Sequence, residues 1–331
     1  MAKTIKHIAD ELGLNPSTVS RALSGHPQIA EKTRERVVQM ADAMGYTPNL
    51  WAQNLVGSST NLIGCMVLEF TNPFYIPMVR AIEDYADEKN YIIFIGESRR
   101  DLETEKHVID RFRRIRASGV IITPVLSDLD HLSLLEKDGV PVIITGRNAE
   151  SFDSINLDNV KSGTMAGYHL ISRGYKKLGF IQSGDAYNVP EQDRLKGFSQ
   201  AIKESGLKNE TLYTVGNNRI NGGEKAGELW LEDKDRPEAV FCSNDLLAMG
   251  FIQYLIKLGI YPPNDIGILG HDDIPFADNF VVPLSTIAFP KYEMGELAIN
   301  LLLERISKPD HPHEPKTIAL EPEIVIRNSC N

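Results

Sequence analysis

Several side chains carry the groups that bind a small polar ring compound. Arg194, in the stretch RLKGF, has a forked guanidinium that can hold two hydroxyls or a carboxylate. Asp272 can accept hydrogen bonds from hydroxyls, Asn244 can both donate and accept them, and Phe74 and Tyr75 can cover a ring face. Singly, Arg194 can pair within its helix, Asn244 can cap one and Asp272 can stabilise a turn. As a set that converges on one place, they favour a binding pocket.

A second group of polar residues lies in the stretch NPSTVSRALSG, residues 15–25. Asn15 is a good N-cap, and Pro16 suits the first position of a helix. Val19 and Leu23 are four residues apart and form an inward stripe. The rest of the helix surface carries Ser17, Thr18, Ser20 and Arg21. Short polar groups followed by an arginine suit a helix in the major groove of DNA, and a capped surface helix is the alternative.

Three short helices are predicted to position this stretch within residues 1–48. The first has apolar residues at helical spacing from Ile5 to Leu12, and the turn Gly13-Leu14 joins it to the second. A third helix follows from about Glu31 to Met44. Two helices joined by a three-residue turn and packed on a third indicate a helix-turn-helix headpiece.

Residues 49–60 are predicted to form a short hinge helix and a linker. Pro48 breaks the preceding element, and Asn49 can cap a helix of about two turns. Such a helix either packs on the next domain or orders only when two copies meet on DNA. In the second case Leu55 would be an apolar wedge between base pairs in the minor groove.

From Asn61 onward, strands and helices alternate in two series of similar length. Such alternation predicts two doubly wound, parallel α/β lobes, whose ligand binds beyond the carboxyl ends of the strands. The pocket candidates follow such strand ends. One last helix, about 291–307, precedes a terminal strand over 317–327. The other predicted strands are 62–69, 91–97, 119–123 and 141–145 in the first series and 177–183, 212–216, 239–244 and 266–272 in the second.

Taken in order, TIKHIADELGLNPSTVSRAL, GYTPNLWAQNL, AVFCSNDLLAMG and GILGHDDIP resemble the lac repressor/galactose repressor family of bacterial transcription regulators. The resemblance covers nearly the whole chain. It implies a headpiece, a hinge helix and a core like the periplasmic sugar-binding proteins, crossed three times near 157–161, 284–290 and 318–322. The core is then 61–331, with an N-lobe of about 61–158 and 288–319 and a C-lobe of about 159–287 and 320–331.

The resemblance also implies partners and roles. A homodimer binds a pseudo-palindromic operator in double-stranded DNA, and a small effector bound between the lobes controls it. The base-reading positions are occupied by Pro16, Ser17 and Arg21. Positions that mostly touch phosphates are occupied by Asn15, Thr18 and Ser20. Leu55 matches the minor-groove wedge and Ala52 its close neighbour, while Gln53 replaces an arginine that is common there.

Several pocket positions depart from the family pattern. Asn188 and Pro190 differ from the contacts of the purine-responsive member, so a purine corepressor is disfavoured and a sugar or sugar derivative is the default. Arg147 and His271 are candidates to replace missing contacts, which would favour an acidic sugar or a phosphate. Two further departures are Gly146, where many members have an aspartate, and Asn218, where several have an aromatic ring.

Composition excludes several classes of protein. The 331 residues carry a net charge of −10, which is unequally shared: residues 1–60 hold six Lys and Arg against five Asp and Glu. An acidic core repels DNA and leaves contact with phosphates to the headpiece. There is no run of membrane-spanning length and no signal peptide, so a cytoplasmic protein is expected. Cys65, Cys242 and Cys330 are expected to be reduced thiols, with no metal site and no cofactor.

Competing functions are weaker. The sequence has no GxGxxG, P-loop or GxSxG motif, which disfavours an enzyme. A solute-binding protein for transport is disfavoured by the headpiece and by the lack of a signal peptide. Control by a phosphorylated carrier protein stays open. For dimerisation, the helix 245–258 with Phe251, Ile252 and Leu255 is either the dimer face or core. A dimer, and not a tetramer, is expected.

Overall fold

The computed structural model describes residues 3–23, 25–46, 60–207, 210–309 and 314–330. These residues divide into two units at Thr60–Asn61. Most of the predicted hinge segment 49–60 therefore lies outside the described residues, and so do Ala52, Gln53 and Leu55.

The described part of the first unit contains three helices around a small apolar core. The helices are α1 (Ile5–Leu12), α2 (Pro16–Leu23) and α3 (Glu31–Ala43). Each helix contributes buried residues, among them Ile8, Val19 and Val37. The short turn between α1 and α2 and the packing of both on α3 give the predicted helix-turn-helix arrangement.

The first lobe of the second unit is a six-stranded parallel sheet, ordered β11-β5-β4-β3-β1-β2. The central strands β1, β3 and β4 are buried along their whole length, because helices cover both faces of the sheet. The strands are β1 (Leu62–Val67), β2 (Ile92–Glu97), β3 (Gly119–Ile122), β4 (Val142–Thr145), β5 (Asp153–Leu157) and β11 (Thr317–Leu320). The helices are α4 (Tyr75–Glu88), α5 (Leu102–Arg114), α6 (Ser133–Lys137) and α11 (Lys291–Ser307).

The second lobe repeats this architecture with the order β12-β10-β9-β8-β6-β7. Its pairings are parallel except between β10 and the short edge strand β12. The strands are β6 (Leu178–Gln182), β7 (Thr211–Thr214), β8 (Ala239–Cys242), β9 (Gly267–His271), β10 (Ser285–Ala288) and β12 (Glu323–Val325). The helices are α7 (Asn159–Ser172), α8 (Val189–Glu204), α9 (Ile220–Glu232) and α10 (Asp245–Lys257).

The chain passes between the two lobes three times. The first passage joins β5 to α7, the second joins β10 to α11, and the third joins β11 to β12. The prediction of one terminal strand over 317–327 is wrong. Glu321 and Pro322 divide it into β11, which belongs to the first sheet, and β12, which belongs to the second.

Helices α7 and α8 approach each other more closely than side chains would allow. A Cβ added to Gly163 would lie 1.9 Å from the carbonyl oxygen of Arg194, and one added to Gly197 would lie 1.9 Å from that of Val160. The Thr164 hydroxyl also donates to the Gly197 carbonyl across the contact, at 3.2 Å. The glycines on both helices therefore permit this close packing, and the packing sets the position of Arg194 relative to α7.

The interior of the second lobe settles the role of α10. Phe251, Ile252 and Leu255 are fully buried and pack with Trp230 in the core of this lobe. The sequence left two interpretations of this helix open, dimer face or core, and the structure supports its place in the core. No helix in the described part of the chain is long and apolar enough to span a lipid bilayer. The three cysteines are buried and free.

Candidate functional site

Helix α2 presents a polar surface on the headpiece. Pro16, Ser17 and Arg21 are exposed, whereas Val19 and Ala22 are buried against the other helices. Thr18 and Ser20 are partly exposed beside them. The exposed side chains are those of the three predicted base-reading positions.

Asn15 supports the start of this helix. Its Oδ1 accepts hydrogen bonds from the Ser17 backbone N–H at 3.0 Å and from the Ser17 hydroxyl at 2.8 Å. An Asn in this position satisfies an amide that the first turn leaves unpaired. The contact gives Asn15 a capping role within the headpiece, whatever it touches outside it.

A cleft of about 810 Å³, including its mouth, lies where strands of both sheets end. All six predicted effector residues line it: Phe74, Tyr75, Arg147, Arg194, Asn244 and Asp272. Gly146, Asn188, Pro190 and Asn218 line it as well. The departures from the family pattern therefore fall on the wall of the cleft.

Arg194 is anchored by neutral oxygens. Its Nε donates to Asn159 Oδ1 at 2.8 Å, and its Nη1 donates to the carbonyl of Ser243. Burial, which Asp272 and Glu191 partly oppose, lowers the pKa of the guanidinium from its ordinary value. Nη2 has no hydrogen bond to the described residues, so it remains available on a side chain that lines the cleft.

Asn244 is largely committed to the protein itself. Its Oδ1 accepts from the Leu247 backbone N–H at 2.8 Å and caps α10, while its Nδ2 donates to the Asn218 carbonyl at 2.9 Å. The structure thus shows the capping role that the sequence left open. A ligand contact would use the second lone pair of Oδ1 and the second proton of Nδ2.

Asp272 follows β9 and has an unusual backbone. Its φ is +113°, a region that residues other than glycine rarely adopt. Its Oδ1 lies 2.9 Å from Nδ1 of the buried His271, whose Nε2 lies 3.2 Å from the Ser162 hydroxyl. The amine of Lys291 donates to the Asp272 carbonyl. These contacts fix the carboxylate at the cleft wall, and its Oδ2 has no hydrogen bond to the described residues.

His271 orients Asp272 and does not itself line the cleft. It is fully buried between Ser162 and Asp272, so the prediction that it replaces a missing effector contact is wrong. Burial, and next the charge of Arg194, lower its pKa to about 4. At neutral pH the ring is therefore uncharged and can donate one hydrogen bond and accept another.

We expect the stability of the protein to fall in mild acid because of His271. The folded protein binds this proton less readily than the unfolded chain, so the contribution is fully present above pH ~6.5 and is lost as the pH falls toward 4. The loss in the free energy of unfolding should be roughly 3 kcal/mol. Urea unfolding between pH 4 and 8 measures it. His271→Asn should flatten the slope, and His107→Asn on the exposed surface should leave it; equal slopes in all three proteins would contradict the assignment.

Arg147 enters the cleft from the first lobe, just after β4 and Gly146. It is only 8% exposed. Its guanidinium makes two long contacts, from Nη1 to the Ser127 hydroxyl at 3.3 Å and from Nη2 to the Val125 carbonyl at 3.5 Å. Burial lowers its pKa, and the nearby charge of Glu105 opposes the shift.

Phe74 and Tyr75 form the aromatic part of the same wall. Their rings meet edge to face, with centroids 5.1 Å apart, and both are largely buried. Burial raises the pKa of the Tyr75 hydroxyl to about 12, so it stays protonated and can donate a hydrogen bond. An apolar ring face beside a donor suits a compound with both apolar and polar edges.

An ion cluster that sequence reasoning missed joins the two lobes. Glu69, just beyond β1, accepts from Arg100 of its own lobe at 3.0 Å and from Arg219 of the second lobe. Burial alone would raise the pKa of Glu69, but the hydrogen bonds from the two arginines outweigh it and lower the pKa. A partial signal was present in the sequence, because Glu69 follows a buried strand. Its partner Arg219, 150 residues away, had no such signal in the sequence.

Glu191 was also missed, and its role is structural. It accepts from the Ser183 backbone and hydroxyl, the Gly184 backbone and the Ser243 hydroxyl, at 2.6 to 3.3 Å. These bonds hold together the ends of β6 and β8 and the start of α8. In the described ranges, no group of three His, Cys, Asp or Glu side chains is placed to hold a metal ion.

Comparisons with known proteins cover both units. A family model described as bacterial regulatory proteins, lacI family, matches residues 4–49, and a model of a periplasmic binding protein-like domain matches 168–330. The HTH-type transcriptional repressor PurR of Photobacterium profundum is 32% identical over 336 residues, which is 98% of each chain.

Two solved structures are similar in fold. The lac repressor dimer bound to operator and the anti-inducer ONPF has a TM-score of 0.86 and 22% identity over 99% of both chains. A LacI family transcriptional regulator from Enterococcus faecium, solved with bound ribose, has a TM-score of 0.74 and 26% identity. It covers 81% of this chain and 98% of its own.

Proposed function

The chain belongs to the lacI family of bacterial regulatory proteins and is a DNA-binding transcriptional repressor, not an enzyme; from this premise we propose that a small effector bound in its cleft controls its affinity for operator DNA. The effector is a sugar or sugar derivative. The repressor acts as a homodimer in the cytoplasm and reads a pseudo-palindromic operator through Pro16, Ser17 and Arg21 of each α2.

One observation carries the proposal: the cleft collects polar groups with unused hydrogen-bonding capacity from both lobes. Arg194 and Asp272 come from the second lobe and Arg147 from the first. A molecule that contacts all three stabilises one relative orientation of the lobes over others. Effector and operator then affect each other's affinity by the same factor, because both depend on that orientation.

One similar structure and two residues of the cleft support the choice of effector. The Enterococcus faecium regulator was solved with ribose, which is a small polyhydroxylated ring. Asn188 and Pro190, where the family's purine-responsive member differs, stand on the wall of this cleft. Both points favour a sugar-like ligand over a purine base.

The test couples ligand binding to DNA binding. An operator is first selected in vitro from random duplexes, and its affinity is then followed by fluorescence anisotropy against neutral sugars, sugar acids, sugar phosphates and purine bases. We expect one sugar-like class to change the operator affinity by about 5- to 150-fold. A response to a purine base alone would overturn the assignment of the effector. A response only to a phosphorylated carrier protein would replace it with the alternative mechanism.

Arg21 should carry much of the base recognition. Replacement of Arg21 by alanine is expected to weaken operator binding by about 1–3 kcal/mol and to relax discrimination at one base pair, because a guanidinium can bond two atoms of one guanine. Arg36→Ala removes the same charge from α3 and is the matched control. Competition between the operator and single-base variants of it measures both effects. Equal discrimination in the two variants would show that Arg21 supplies charge alone.

We place the dimer contact at the edge of the first sheet, where β2 has only one neighbour among the described strands. Ile92, Phe94 and Ile95 of this strand are exposed, and Phe94 is 43% exposed. An apolar edge strand is covered in most proteins, and the similar lac repressor was solved as a dimer. A second copy of the chain is the proposed occupant.

Phe94→Lys should therefore produce a folded monomer, because a lysine on an edge strand opposes pairing. Leu134→Lys, at an exposed apolar position of α6, should leave the dimer intact. Sedimentation velocity separates the two states. A Phe94→Lys dimer of unchanged affinity would exclude this edge from the interface.

A further inference from the structure

The two walls of the cleft differ in net charge, because the second lobe lines it with three acidic side chains and one arginine, Arg194. The acidic side chains that line it are Asp185, Glu191 and Asp272, and all three belong to the second lobe. The first lobe lines it with two arginines, Arg100 and Arg147, and with no acidic side chain among the described residues. A ligand that fits this distribution has an acidic end toward the first lobe and neutral hydrogen-bonding groups toward the second.

Arg100 has its counter-charge already. Its Nε donates to Glu69 Oε2 at 3.0 Å, and the same carboxylate also holds Arg219. Of the two arginines on the first wall, Arg147 is the one with no ion pair to the described residues: its contacts are a hydroxyl and a carbonyl at 3.3 and 3.5 Å. Contacts of that length hold a buried charge only weakly.

The acidic residue nearest to Arg147 in electrostatic effect is Glu105, and it is occupied. Its Oε2 accepts from the Val125 backbone N–H at 2.8 Å, and its Oε1 lies 2.6 Å from Nε2 of His131. Glu105 therefore serves the loop after β3. A guanidinium that is nine-tenths buried and lines a cleft is left without a charged partner, which is costly unless the ligand supplies one.

We propose that Arg147 binds an anionic oxygen group of the effector, a carboxylate or a phosphate, while Arg194 and Asp272 bind its hydroxyls. The proposal rests on the proposed function, because it names the class of molecule that occupies the same cleft: sugar acids or sugar phosphates. A forked guanidinium suits either group, since both offer two oxygens in one plane. On the other wall, Arg194 Nη2 and Asp272 Oδ2 supply one donor and one acceptor for neighbouring hydroxyls.

The experiment is isothermal titration of the full-length protein with matched sets of compounds. The sets are glucose, glucuronate and glucose 6-phosphate; galactose, galacturonate and galactose 6-phosphate; and ribose with ribose 5-phosphate. Inorganic phosphate and acetate are added as probes that need no sugar, at constant ionic strength. The proteins are the parent, Arg147→Gln and the control Arg99→Gln, whose side chain is 77% exposed and does not line the cleft.

We expect an acid or phosphate to bind at least about tenfold more tightly than its neutral parent. Arg147→Gln should abolish that preference, while Arg99→Gln should preserve it. Preference for the acid over the phosphate, or the reverse, identifies the group. A preference that survives in Arg147→Gln, or a neutral sugar that binds best, overturns the proposal.

If no sugar of the three sets binds, the titrations with inorganic phosphate and acetate test the proposal. Binding of phosphate or acetate to the parent that disappears in Arg147→Gln supports the site, and no difference between the two proteins overturns it. The outcome is separate from that of the proposed function. A neutral sugar that changes operator affinity keeps the function and excludes the anionic group. An anion that binds through Arg147 without any change in operator affinity supports the anionic group and contradicts the proposed function.

Discussion

Replacement of Gly163 by valine is expected to destabilise the second lobe by about 4 kcal/mol or more, which is an exceptional loss for one substitution. The first added carbon would lie 1.9 Å from the carbonyl oxygen of Arg194, and 2.9 Å from the backbone nitrogen of Phe198. Both neighbours are backbone atoms of α8, so relief requires the helices to separate. Separation would remove the interhelical bond from Thr164 and expose the apolar residues between α7 and α8.

Urea unfolding and effector titration measure the two consequences. Because the displaced carbonyl belongs to Arg194, any folded fraction of the variant should also bind the effector more weakly. Lys196→Val, at an exposed site of α8, introduces the same side chain without the collision and should cost less than about 1 kcal/mol. If Gly163→Val unfolds at the same urea concentration as Lys196→Val, the close packing of α7 on α8 is wrong.

Replacement of Arg194 by methionine should abolish the response of operator affinity to the effector. Methionine keeps much of the side-chain volume but leaves Asn159 Oδ1 and the Ser243 carbonyl without their donor. Each unpaired buried acceptor costs about 1–3 kcal/mol, so the free energy of unfolding should fall by about 2–6 kcal/mol. Asn159 lies at the first passage between the lobes, so the same loss loosens their connection.

Arg194→Lys separates the two roles of this side chain. A lysine keeps the charge and can satisfy one acceptor, so it should recover part of the stability while still failing to bind two ligand hydroxyls at once. The readouts are urea unfolding and operator anisotropy with the sugars and sugar derivatives described above. Full effector response in Arg194→Met would remove this residue from the binding machinery.

Local sequence patterns were enough to predict the headpiece helices and most strands of both sheets. Val19 belongs to an apolar stripe with helical spacing. The sequences of β1, β3 and β4 are short apolar runs between helices. Two strands escaped prediction, β5 and β10, because Asp153, Ser154, Ser285 and Thr286 give them polar residues that tertiary partners satisfy. The bidentate ion pair from Arg305 to Asp153, at 2.6 and 3.0 Å, spans 152 residues and has no local signature.

The residues that line the candidate site were largely predicted from the sequence, but the roles of several of them were not. Strand ends brought Asp272 and Arg147 to one cleft because parallel strands of a lobe end at a common edge, and Arg194 reaches the same cleft from α8. Periodicity says nothing about which polar groups satisfy one another. For that reason the inward-facing contacts of His271 were missed, and the capping role of Asn244 was only one of two alternatives. The ion pair between Glu69 and Arg219 depends on the meeting of two lobes.

The three passages between the lobes constrain how the protein is completed during its synthesis. Helix α11 covers β3, β4 and β5, yet it follows the whole α/β series of the other lobe along the chain. The part of one apolar face that lies over β3, β4 and β5 therefore stays uncovered while roughly half of the polypeptide is still to leave the ribosome. The edge strand β11 arrives later still. Neither lobe can be cut from the gene as one uninterrupted segment, and the nascent first lobe depends on protection from aggregation until the last part of the chain emerges.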